Sequence, residues 1–395
     1  MNDASLKRKK ALQFIILMGV ASLFGDITYE GARSVTGPYL ALLGASAVMV
    51  GFATGLGEFL GYALRLVSGY LADKTKAYWS LTFIGYGMIL AIPFLAFTHH
   101  WQMAIFLIII ERTGKAIRSP ARDAILSYAT KQVGRGWGFA IHEAMDQVGA
   151  IIGPLIFSLV FLLKKGYREG FGLLWIPALL VLVTLYFARR EVPVPHVLEE
   201  PEPGEKERAP KLSQNVWWYI IFTACCVGGF VGFPLISYHF KVKSIISDVQ
   251  IPFLYALAMA VDGLAALAVG KLYDKVGLKV LLAAPLLTAL IPFFIFLNSY
   301  SFVVAGVVLW GIVMGIHETI LRAAVADMTP LEKRGVAYGI FNTVYGLCLF
   351  LGNAFIGYLY GYDFTLITVY IVASEFWALV VLFIIFQKSP KGLKI

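Results

Sequence analysis

Long apolar stretches follow one another along almost the whole chain, and this feature removes most folds from consideration. Phe14 to Phe24, Leu81 to Phe97, Trp101 to Ile110, Ile151 to Leu163 and Ala373 to Phe386 lie in stretches that reach bilayer-spanning length once moderate polar interruptions are admitted. With 59% hydrophobic and only 14% charged residues over 395 positions, a soluble globular domain is excluded. Lipid offers no partners to exposed backbone, so spans of this kind are helices. The pattern predicts an all-α integral membrane protein with twelve transmembrane helices near 12–43, 47–72, 78–98, 102–129, 135–163, 170–188, 215–240, 250–273, 278–297, 301–327, 331–360 and 366–387.

The net charge of +9 would suit nucleic acid if the basic residues were clustered on one module, but they alternate with the spans. Loops assigned outside hold only Lys164, Lys165, Arg168, Lys241 and Lys243, whereas most other Lys and Arg flank the inner ends. By the positive-inside rule both termini are expected in the cytoplasm of a multi-pass plasma-membrane protein; no nucleic-acid partner is expected. The basic cluster at Lys7 to Lys10 precedes an apolar run without a small-residue cleavage pattern, which reads as an uncleaved first helix. Cys225, Cys226 and Cys348 all fall within spans, so redox chemistry is not expected.

Residues 189–214 form a polar stretch rich in Pro and Glu, and divide the chain into halves 1–188 and 215–395. The halves echo one another. Gly69-Tyr-Leu-Ala-Asp73-Lys74 recurs as Gly270-Lys-Leu-Tyr-Asp274-Lys275, and Arg135-Gly136 recurs as Arg334-Gly335. A six-plus-six duplication follows. The duplicated G-x-x-x-D-K, between spans two and three and again between eight and nine, resembles the loop motif of the major facilitator superfamily. That resemblance implies two six-helix bundles around a central cavity, lined by spans one, four, seven and ten, with access alternating as the bundles rock.

Ionisable groups at mid-membrane cost several kcal/mol unless paired, solvated or functional, and this chain has many. Asp26, Glu30 and Arg33 share one face of the first span; Glu111, Lys115, Arg118 and Arg122 recur at steps of four, three and four on the fourth, with Arg112 beside them. Asp26 and Glu30 are read as functional and proton-exchanging, with Glu111, His142 and Asp146 as further proton-coupling candidates. A cavity lining is expected from Asp26, Glu30, Arg33, Arg112, Lys115, Arg118, His317, Glu318 and Arg322. Glu58 and Arg65, two turns apart, read as a structural pair, and His142 with Asp146 fits either a satisfied core histidine or a functional one.

Gly149-Ala-Ile-Ile-Gly153-Pro154 resembles the superfamily's antiporter motif G-x-x-x-G-P, found where spans five and eight meet, although Leu155-Ile156-Phe157 replaces the small residues that often follow. The resemblance also implies a gate at Gly69, Asp73, Lys74, Gly270 and Asp274, in which Arg122 holds Asp73 in the outward-open state. The expected function is secondary active transport: a proton-coupled antiporter, monomeric and without cofactor, that exports a small organic compound. The alternative is divalent-metal export through Asp26, Glu30, His142 and Asp146. His142-Glu-Ala-Met-Asp146 comes close to a zinc-protease motif but ends in Asp, and His317-Glu-Thr-Ile-Leu321 lacks the last ligand altogether, so no enzyme is expected.

Overall fold

The computed structural model describes residues 3–130, 133–193, 213–297, 299–329 and 334–388; most of the expected linker, 194–212, lies outside them. In chain order the helices are α1 (Asp3–Leu42), α2 (Ala47–Thr75), α3 (Tyr78–Gly87), α4 (Trp101–Thr130), α5 (Arg135–Leu162), α6 (Tyr167–Leu173), α7 (Trp175–Glu191), α8 (Gln214–Gly228), α9 (Phe233–Val242), α10 (Gln250–Val276), α11 (Ala283–Ile295), α12 (Tyr300–Met328), α13 (Arg334–Leu359) and α14 (Phe364–Lys388). Short 3-10 turns extend α3 to Phe97 and join α10 to α11. No strand occurs among the described residues. Among the described residues ten stretches are long and apolar enough to cross a membrane, one of them the 46-residue Gln250–Ile295. Helix α4 falls outside the ten, in keeping with its dense charge.

Two expected spans are interrupted. The sixth divides into α6 and α7 at Leu174, and the seventh into α8 and α9 across residues 229–232. The second break has a local cause: Gly228, Gly229 and Gly232 lower the cost of leaving the helix, and Pro234 cannot donate to a preceding turn. Its backbone groups find side-chain partners. Ser374 Oγ donates to Cys225 O (2.8 Å), Tyr370 OH to Gly228 O (3.0 Å) and Trp310 Nε1 to Val231 O (2.8 Å), while Gly232 N donates to Asn353 Oδ1 (2.6 Å). Non-helical backbone at membrane depth needs partners of this kind.

By packing, the chain forms two compact units, 1–35 with 63–205 and 36–62 with 206–395. The second therefore includes the end of α1 and the start of α2, which the expected halves assign to the first bundle. In the first unit a core of Phe14, Ile15, Met18, Trp79, Ile125 and Leu185 joins α1, α3, α4 and α7. Many large apolar side chains remain exposed, among them Leu66, Val67, Phe106, Trp137, Leu159 and Val183, an outer surface suited to lipid and unsuited to water.

The first repeat motif has a specific seat. Pro120 lacks an N–H, so Ala116 O has no donor one turn later in α4, and Ser68 Oγ of α2 supplies the missing bond at 2.7 Å. Next door, a Cβ on Gly69 would touch the Pro120 ring at 3.6 Å, as one on Gly270 would touch Thr319 of α12 at 3.7 Å. Each glycine thus lies against the same relative helix in its own unit. Ser68→Ala is expected to destabilise by about 1–3 kcal/mol, the cost of a buried acceptor left open. Pro120→Ala in that background returns an N–H to Ala116 O, so melting of the double variant should recover part of the loss.

Candidate proton and substrate site

The ionisable residues expected on the first, fourth and fifth spans converge in the first unit, because two helices cross there without a side-chain layer between them. A Cβ on Gly153 of α5 would meet Ile27 O and, at 2.7 Å, Gly31 N of α1; one on Gly149 would meet Leu23 O and, at 3.1 Å, the Asp26 Cβ. The glycines of the G-x-x-x-G-P segment therefore make this close approach to α1, where the resemblance pointed to the eighth span. The crossing carries His142 and Asp146 to the same region as Asp26.

At one end of the cluster, Ser22 Oγ lies 3.0 Å from Tyr86 OH, 3.0 Å from His142 Nε2 and 3.0 Å from Arg122 Nη1, which donates to it. Asp146 Oδ2 is 3.6 Å from His142 Nδ1 and 3.8 Å from Arg122 Nη1. Arg122 also holds the neighbouring Asp123 at 2.9 Å. Asp73 instead accepts from Tyr78 OH at 3.4 Å, so among the described residues Arg122 and Asp73 form no ion pair in this conformation.

The other end is organised around Tyr29. Arg112 and Lys115 sit 4.2 and 4.1 Å from its ring centre, and Arg33 donates to its hydroxyl at 3.1 Å. Cation–π contact of this kind contributes about 0.5–2 kcal/mol, more when desolvated. Glu30 pairs with Arg33 at 3.7 Å, and the buried Glu111 is shared by Arg112 (3.9 Å) and Arg118 (3.5 Å). Arg118 lies over Tyr86 at 4.7 Å and keeps Nη1 without a hydrogen-bond partner.

Asp26 occupies the middle. No hydrogen bond or ion pair to its carboxylate is found among the described residues, yet Lys115, Glu30, Arg118 and Arg122 all act on it electrostatically. It is half-buried, so the group is both reachable and sensitive to its surroundings. Five cations, Arg33, Arg112, Lys115, Arg118 and Arg122, face four carboxylates, Asp26, Glu30, Glu111 and Asp146, so the charge of the cluster responds strongly to each proton gained or lost.

His317, Glu318 and Arg322 belong to α12 in the second unit, as do Gly270 and Asp274 on α10. His317 is buried, with its ring edge-on to Phe230 at 4.9 Å and neither nitrogen hydrogen-bonded. No group of three or more His, Cys, Asp or Glu converges as a metal site among the described residues. The donor set proposed for metal export is broken up: His142 and Asp146 pair with each other and with Arg122, while Glu30 pairs with Arg33. Three participants escaped the sequence reading, Ser22, Tyr29 and Tyr86. The first two were legible, since Ser22, Asp26, Tyr29 and Arg33 repeat at four, three and four along α1; Tyr86 gives no such signal.

The sequence profile described as Major Facilitator Superfamily matches residues 13–352 and 233–394. An uncharacterized protein of Mycobacterium tuberculosis is 41% identical, covering 95% of this chain and 93% of its own. Multidrug resistance protein MdtH of Photorhabdus laumondii is 32% identical over 30% of each chain. Among solved structures, the nucleoside transporter NupG superimposes with a TM-score of 0.71 over 95% of this chain and 99% of its own, at 13% identity.

Proposed function

The chain belongs to the major facilitator superfamily, a family of membrane transporters, and from that premise we propose that it is a proton-coupled antiporter exporting a small organic compound by alternating access. The observation that carries this reading is Asp26, a carboxylate with no direct partner at the centre of a buried field of charge. Proton and substrate compete for it. Ionised, Asp26 offers a hydrogen-bond acceptor to a substrate donor; protonated, it loses that charge, releases the substrate, and changes the balance among Lys115, Arg118 and Arg122. Glu30 and Asp146 are secondary proton carriers, each already tied to an arginine. The aromatic faces of Tyr29 and Tyr86 suit an amphiphilic substrate.

The G-x-x-x-G-P segment and the partial likeness to MdtH support export. Counting Gln250–Ile295 as two spans and adding α4 gives the twelve helices of two bundles, 1–188 and 215–395, joined by 189–214 and with both termini cytoplasmic. In this reading Arg122 leaves Asp146 to hold Asp73 when the protein opens outward. Asp73→Ala should slow transport with folding intact; unchanged rates would remove the gate.

The test is thermal melting of the purified protein against organic amphiphiles, organic anions and divalent metals. A ligand of the folded state at a hundred times its dissociation constant stabilises by about 2.7 kcal/mol. An organic compound is expected to raise the melting temperature and then to be exchanged for protons in vesicles. Stabilisation by metal alone, abolished by Asp26→Asn or His142→Ala, would overturn the assignment.

A further inference from the structure

The last helix of the second unit carries a carboxyl group that the transport site does not use. Glu375 of α14 is 1% exposed, and neither side-chain oxygen has a hydrogen-bond partner. It faces the break between α8 and α9: a Cβ on Gly229 would come within 2.6 Å of Glu375 Oε1. Ser374 and Tyr370, on the same helix, occupy the Cys225 and Gly228 carbonyls at the end of α8. Its two neighbours on α14 thus serve the backbone at the break, and the carboxyl beside them does not.

A charge at this position is doubly opposed. Among the described residues the donor beside the carboxyl is the thiol of Cys226, a weak one, and an ionised carboxylate so poorly supplied in an apolar interior is too costly to persist and neutralises instead. The C-terminal end of α8 also presents the negative pole of its dipole. Among the described residues the titratable groups facing Glu375 are Cys225 and Cys226 of α8 and Tyr370 of α14; α11, which also packs on α14, contributes none. None of these is a cation.

We propose that Glu375 is a second proton-binding site, independent of Asp26, whose bound proton keeps the α8–α9 break in the arrangement described. Loss of that proton sets a negative charge against the carbonyl end of α8 and drives the two apart. The break separates α8 from α9, and α9 lies against α1 where Gly37 leaves room for Ser237 and Tyr238. The proton site thus governs a contact within the second unit, whatever exchanges at Asp26.

Infrared difference spectra of the purified full-length protein, wild type minus Glu375→Gln at neutral pH, test this. The expected result is a carbonyl-stretch band of a protonated carboxyl, shifted in heavy water and lost in the variant; Glu375→Asp should retain such a band at a moved frequency. Absence of the band from wild type overturns the proposal. Melting in sodium, potassium and choline chloride is the second measurement, and equal melting temperatures are expected. A rise specific to sodium or potassium that Glu375→Gln abolishes would make this a metal-cation site and also overturn it. Failure of Asp26→Asn to affect transport would leave both readouts unchanged, so the two readings stand or fall separately.

Discussion

Proton-driven transport by Asp26→Asn is expected to fall on the order of a hundredfold below wild type, the scale at which a single proton-transferring group contributes. The measurement is exchange of internal protons for the stabilising organic compound in vesicles, followed with a trapped pH dye. Asparagine keeps the shape and acceptor of the side chain but cannot take up a proton, so binding and melting should change little while coupled flux is lost. The loss should persist across the working pH range, because the step itself has been removed. Glu30→Gln should cost less, since Glu30 is already engaged by Arg33 at 3.7 Å. Undiminished exchange in both variants would move the proton elsewhere.

Gly153→Ala is expected to be among the most damaging single-methyl changes in the chain. The new methyl would press on Ile27 O and lie 2.7 Å from Gly31 N, both backbone atoms that cannot rotate away. Overpacking of this kind costs about 1–3 kcal/mol, and here it also forces α5 off α1, carrying His142 and Asp146 from Ser22 and Arg122. Gly61→Ala is the control. A Cβ there meets nothing within 4 Å, and the gain in helix preference of about 0.5–1 kcal/mol should leave it equal or better. Melting curves of the two variants separate packing from composition; equal stability would mean that the crossing is looser than its geometry.

Much of this was legible beforehand because lipid enforces it. Helix type and most boundaries follow from apolar length, and the duplicated G-x-x-x-D-K motif located equivalent glycines that prove to seat against equivalent helices. Helical spacing puts Asp26 and Glu30 on one face of α1 and Lys115 and Arg118 on one face of α4, and the family resemblance is what implies that the two faces meet. Spacing cannot say which face meets which: the resemblance points the glycines of α5 to the eighth span, and their approach to α1 carries no sequence signal of its own. Apolar length predicts one unbroken seventh span over 215–240, because it does not register the backbone freedom of Gly228, Gly229 and Gly232. Glu375 was passed over in an apolar run, where a single carboxyl carries no period to notice.

The interrupted seventh span has a consequence in time as well as in space. Translation delivers α8 and α9 well before α12, α13 and α14, yet Trp310, Asn353, Tyr370 and Ser374, which cover the bare backbone between them, all lie on those later helices. Before α12 and α13 are inserted the Val231 carbonyl and the Gly232 amide lack these partners, and the Gly228 carbonyl lacks Tyr370 until α14 arrives. A nascent chain must shelter it near the membrane surface or within the insertion machinery, and a chain truncated before α14 exposes a mark by which quality control could recognise it as unfinished.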